Sequence, residues 1–440
     1  MRDGEREVDY GQYLEPEVRN VIKLTLAFAK AVGQNQSDKS ENLVVSPYNA
    51  VACLSMVAKG ADTLTREEMA KTLFGTDGKG LDKAAGDYAA MNTKILDANK
   101  GQVELTTANG VWTNQDLVTL RDTFAQDLKK TFGAEISGED YSDPATVDKI
   151  NAWADKNTNG LIKEVLKQLD PNDAAVLASS LYFKGKWTNP FDVKLTEDKT
   201  FTSDGNVKST TPTMHQDFAE DGAMRYQKGR DYEAVTLTYG EEKQEGREMR
   251  YPSMRIVLVC PTDDGVSARD WLATQADGKV PAWLSPYGGY QDAVGSIELP
   301  RMDIKQKHDL IPALKNMGIQ QAFKEGAADF TRMVEAGGDR LFVSQVSHDI
   351  VFKTDEKGSE AAAVTVAKMS LECMRPDPVN VAVKLDRSFV FALQDVQTNA
   401  VLFIGAVNKP NNEMKAEQAP KAPTKKKKAS SKPKSQKKHH

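Results

Sequence analysis

The chain has 440 residues, 40% apolar and 28% charged, with a formal net charge of −5. That usage excludes a largely disordered polymer, and the length leaves room for a sizeable core, in two or three ordinary domains or one large one. No stretch approaches the ~18 to 20 apolar residues of a membrane helix, so no membrane partner is expected. Three cysteines, Cys53, Cys260 and Cys373, lack zinc-site or disulfide-framework spacing, and no metal or other cofactor is expected.

Residues 1–7 lack the apolar core of a secretory signal, which points to a cytoplasmic or nucleocytoplasmic location, or an extracellular one if a leader has been removed. Residues 17–32 carry helical apolar spacing through Val18, Ile22, Leu24, Leu26 and Ala27. Thr65-Arg66-Glu67-Glu68 reads as a capping box opening a second helix. Strand-sized runs follow at 176–183, 234–238, 255–260, 379–385, 388–393 and 401–407, the last two flanking a hairpin turn at 395–399. Polar segments 240–250 and 285–295 read as surface loops. Helices and strands without regular alternation predict an α+β fold.

The charge is unevenly placed. Residues 411–440 hold ten lysines against Glu413 and Glu417, a net of +8, which leaves −13 on residues 1–410. The tail is rich in Pro, Ser and Ala and is expected to be disordered, leaving 1–410 as one domain. Its block of Lys425 to Lys428 fits an anionic polymer or nucleic acid as partner, or simply a solubilising appendage.

An enzyme is not expected. There is no HExxH, GxSxG, Walker loop or complete GxGxxG, and His215, His308 and His348 have no metal-ligand spacing. The segment that carries chemistry is 356–376, EKGSEAAAVTVAKMSLECMRP. Its alanines could form a helix. A period of two points elsewhere: Ser359, Ala361, Ala363, Thr365, Ala367 and Met369 form an uncharged phase, while Glu360 and Lys368 fall on the other. Because successive strand side chains face opposite ways, this segment can enter a sheet with small residues against a core.

Glu356 to Ala363 resembles the proximal hinge of inhibitory serpins, the serine protease inhibitor family. Other stretches resemble serpin landmarks in the right order: NLVVSP at 42–47, INAW at 150–153 with TNGLI at 158–162, LYFKGKW at 181–187 with Pro190-Phe191, ADFT at 328–331, His348, and FVF at 389–391 through FIG at 403–405. The resemblance implies three β-sheets, eight or nine helices and an exposed reactive-centre loop. It further implies a suicide substrate for serine-type endopeptidases, with cysteine-type enzymes as a further class. A protease cleaves the loop, is held as an acyl-enzyme, and the freed hinge inserts into the main sheet.

Carried over residue by residue, the hinge is Glu356, Gly358, Ser359, Glu360, Ala361, Ala362 and Ala363. Glu356 is expected beside Arg301, with Trp187, where the strand enters. Ser46, Asn49, Ser179 and His348 match a polar cluster beneath the opening sheet, with Asn49 standing where Ser is common and Ser179 where Asn is common. Counting along the loop places cleavage between Glu372 and Cys373, within a register window from Leu371 to Met374. The expected partner is a serine protease that accepts Glu, or an elastase- or chymotrypsin-like enzyme, met by a monomer. The rival reading is a non-inhibitory carrier, chaperone or storage protein.

Overall fold

The computed structural model describes residues 8–219, 223–245, 248–263, 265–336, 341–358 and 377–411. Eight α-helices and three main β-sheets make up an α+β fold among these residues. The main sheet has five strands in the order Met302–Asp309, Gln345–Thr354, Ala175–Gly185, Val103–Asn114 and Glu135–Glu139. The other two sheets join edge to edge into a ten-stranded ladder, through a short antiparallel contact of Met224–Lys228 with Gln291–Pro300. Two short two-stranded ribbons complete the strands.

Apolar runs become the buried centre. Met254–Pro261, Phe389–Asp395 and Val401–Val407 are buried at every position and lie beside one another, as continuous apolar strands must when both faces are covered. Helix Pro47–Gly60 runs between this ladder and the main sheet, and every residue except Lys59 is buried. A helix apolar on all sides has no solvent face to offer. It starts where it does because Ser46 accepts from the Asn49 amide and Pro47 occupies the first turn, where a missing N–H is harmless.

Three local expectations need correction. The second predicted helix runs Thr63–Phe74 and is capped by Asp62, while Thr65 Oγ1 accepts from the Asp329 amide, so a contact distant in sequence takes the side chain that the capping box needed. Segment 240–250 contains a paired ribbon, Lys243–Glu245 with Glu248–Arg250. Segment 285–295 gives way to a strand at Gln291, whose first polar residues are exposed or half-buried although the strand is paired on both sides. The hairpin across 395–399 forms, with Phe389–Asp395 antiparallel to Val401–Val407.

Candidate functional site

The two central strands of the main sheet, Ala175–Gly185 and Gln345–Thr354, are parallel and meet only at Gln345 with Val176 and Val346 with Leu177. Beyond that point they diverge. Residues 178–185 and 347–354 face a gap, and its upper part is a cleft of about 630 Å³ lined by Tyr182, Phe183, Arg301, Val351, Thr354 and Gly358, among others. A sheet interior normally pairs its backbone groups, so an open seam between central strands is unusual and calls for a function.

At the top of the seam the chain reverses. Asp355 N–H donates to the Gly358 carbonyl at 2.8 Å and Gly358 N–H to the Asp355 carbonyl at 3.1 Å, closing a tight turn, and Asp355 Oδ1 accepts from the Lys357 amide at 2.9 Å. Gly358 has φ +110° and lies antiparallel to Lys186. A Cβ there would stand 2.2 Å from the Gly185 carbonyl oxygen, so both the dihedral and the space require glycine.

Trp187 holds this turn. Its backbone N–H donates to the Lys357 carbonyl at 3.1 Å, its indole N–H to the Asp355 carbonyl at 2.8 Å, and its ring stacks on Tyr239 with centroids 4.2 Å apart. Phe191 N–H donates to the Glu356 carbonyl at 2.8 Å. The Glu356 carboxylate, 5% exposed, accepts at Oε1 from Arg301 Nε at 2.9 Å, Arg301 Nη2 at 2.6 Å and Thr196 Oγ1 at 2.5 Å. Burial works to raise its pKa, but these hydrogen bonds prevail and hold it below the usual carboxylate range.

Below the seam, the structure brings Ser46, Asn49, Ser179 and His348 into one network that runs largely through backbone groups. Ser46 N–H donates to His348 Nε2 at 2.9 Å, and Ser179 Oγ–H reaches both the Asn49 carbonyl at 3.0 Å and Asn109 Oδ1 at 2.9 Å. Asn49 Oδ1 and His348 Nδ1 have no partner among the described residues. Burial, and then the neighbouring His308, push the His348 pKa down to about 3, so the ring is neutral and can accept from Ser46. His308 stands directly opposite on the adjacent strand.

Two of these partners were missed in the sequence. Asn109 faces Ser179 across Val103–Asn114 and Ala175–Gly185; it lies among other polar residues of a mixed strand, so no local pattern singled it out. Thr196 reaches Glu356 from a loop, and nothing in its own neighbourhood marks it. Ser359, Glu360, Ala361, Ala362 and Ala363, with Glu372 and Cys373, lie outside the described residues.

The family model for serpins, described as "serine protease inhibitor", matches residues 19–410. The chain belongs to the serpin family. Serpin-Z3 of Arabidopsis thaliana is 30% identical over 417 residues, covering 90% of this chain and 99% of its own. A "Serine protease inhibitor" of Cyanea capillata is 30% identical over 84% of this serpin and 93% of its own chain. Among solved structures, the thermophilic serpin tengpin in the native state superposes with a TM-score of 0.74 at 23% identity, over 92% of this chain and 96% of its own. A thyroxine-binding globulin complexed with thyroxine superposes at 0.70 and 24% identity, over 89% of this chain and 99% of its own. At such identities the likeness is one of serpin fold. No helix among the described residues is long and apolar enough to cross a membrane.

Proposed function

We propose that this serpin is an inhibitor of serine-type endopeptidases that acts as a suicide substrate. The reading is carried by the turn at 355–358, which already points the chain back between two strands that have parted. In the proposed reaction the protease hydroxyl attacks the carbonyl of Glu372, the bond to Cys373 breaks, and the Cys373 amine leaves with the proton. The protease remains as an ester on Glu372. A hinge inserted behind Gly358 would run antiparallel to both neighbours and pair with each. At ~0.5 to 1.5 kcal/mol per backbone hydrogen bond, a dozen bonds supply on the order of 10 kcal/mol, and ångström-scale displacement of reacting groups is already costly to hydrolysis.

Ser359 would be the first inserted side chain, and the uncharged phase from Ala361 to Met369 favours insertion over the carrier reading. The proposed target accepts Glu before the cut. The proposed location is cytoplasmic or nucleocytoplasmic, and the Lys-rich tail is proposed as a separate surface for anionic polymer or nucleic acid.

Incubation with a panel of serine and cysteine proteases should give a complex that survives SDS, and sequencing the released C-terminal peptide should begin it at Cys373. Ser359→Arg should convert inhibition into simple cleavage. Loop cleavage by every protease with no stable complex would reject the inhibitory reading.

A further inference from the structure

The main sheet ends on strand Met302–Asp309, which pairs with Gln345–Thr354 on its inner side. Since only two residue pairs join Gln345–Thr354 to Ala175–Gly185, these two strands form a narrow half of the sheet. Two strands alone are a weak unit that a third would brace. The outer side of Met302–Asp309 already receives the C-terminal chain. Asn42, fully buried, accepts at Oδ1 from the Asn408 and Lys409 amides and donates from Nδ2 to the Lys409 carbonyl, each at 2.7 Å. Held in this way, the chain passes Asp303, whose N–H donates to the Pro410 carbonyl at 2.9 Å, and Asn411 forms a parallel bridge with Asp303. The last described residue is thus the first step of a strand, running along the sheet's edge in the direction of Met302–Asp309.

That bridge fixes a register. Asp303 turns its backbone N–H outward, so by alternation Lys305 and Lys307 do the same. In parallel pairing from Asn411, Glu413 falls beside Lys305, on the solvent-facing side that Lys305 and Lys307 share. Lys415 falls beside Lys307, which is engaged with Asp349 and the Val165 carbonyl, and diagonal to Asp309. The opposite phase, Asn412, Met414 and Ala416, is uncharged and follows Ile304 and Gln306 on the more buried side. Glu417 would meet Asp309, a like charge, and Pro420 lies just beyond, so pairing should end at Ala416. The residues from Glu413 to Ala419 are good helix formers, but the stretch between Pro410 and Pro420 is too short to hold a helix alone.

We propose that residues 412–416 add a sixth strand to the main sheet, parallel to Met302–Asp309, leaving the Lys-rich block beyond for anionic partners. The register assigns each bond: Lys305 and Lys307 N–H donate to the Asn412 and Met414 carbonyls, and the Asn412, Met414 and Ala416 amides donate to the Asp303, Lys305 and Lys307 carbonyls. The Glu413 and Lys415 amides face water. Hydrogen exchange, read residue by residue on the full chain, tests this. Lys305 and Lys307 should exchange about tenfold more slowly than in a chain ending at Asn411, the factor for a hydrogen bond at the upper end of ordinary strength. Met414 and Ala416 should be slower than Glu413 and Lys415 by a similar factor. Met414→Pro deletes a pairing donor and should erase the slowing at Lys305, whereas Lys415→Pro deletes only an outward N–H and should keep it. A chain ending at Gln418 should match the full chain. Equal exchange with and without residues 412–440, or equal effects of the two prolines, overturns the proposal. So does protection lost in the chain ending at Gln418, which assigns the contact to the lysines beyond, or protection that rises with protein concentration, which assigns the edge to a second copy.

Discussion

Replacing Glu356 by Gln keeps the shape of the side chain and removes only its charge. Three donors converge on Oε1 of the native carboxylate, two from Arg301 and one from Thr196. Hydrogen bonds to a charged group contribute about 1.5 to 3 kcal/mol against about 1 for neutral pairs. Arg301 is 43% exposed, so water screens its share, and the two guanidinium contacts together count as roughly one. The expected loss is about 1.5 kcal/mol, near tenfold in the unfolding equilibrium. The folded carboxyl has a lowered pKa. Its contribution is therefore complete above the unfolded value of about 4.3 and is lost as pH falls through the lower folded value. Urea unfolding followed by tryptophan fluorescence should show the native protein ahead of Glu356→Gln at pH 7, with the gap closing below about pH 4. Equal midpoints at pH 7, or a gap that is unchanged in acid, would refute the assignment.

Trp187→Phe retains most of the buried ring but deletes the indole N–H that reaches Asp355, so a loss of about 1 kcal/mol in urea is expected, against roughly 3 to 5 for Trp187→Ala. Asn109→Ala removes one of the two acceptors that Ser179 reaches, leaving the Asn49 carbonyl, and should lower stability by about 0.5 to 1 kcal/mol in the same assay. His348, with a folded pKa lowered to about 3, stabilises the fold fully above the unfolded value of about 6.5 and progressively less as pH falls toward 3. Imidazole NMR should show it neutral at pH 5, and His348→Gln should flatten the decline of stability between pH 6.5 and 4.

What could be read in advance divides along physical lines. Strands such as Met254–Pro261 and Val401–Val407 announce themselves because a strand covered on both faces is almost wholly apolar, Arg255 being the one charge in the two. The pairing of Glu356 with Arg301 was accessible only through family resemblance, since the two are joined across an edge that no local pattern encodes. The placing of Trp187 there came the same way, whereas Thr196 was not accessible at all; both make contacts spanning more than a hundred residues. Thr65 shows the converse: its local motif was sound, yet the backbone of Asp329 outcompeted it.

The glycine turn at Gly358 sets a phase. Any strand continuing from a residue already fixed against Lys186 inherits its parity, so Ser359, Ala361 and Ala363 must share one face and Glu360 the other. Substitutions at the outward positions leave that frame intact. If the segment inserts as proposed, a single inserted or deleted residue just after Gly358 would exchange its two faces and drive Lys368 inward. Under the proposed insertion, this serpin should therefore tolerate point changes in 359–369 far better than one-residue changes in length just after Gly358, which act like a frameshift written in side-chain direction.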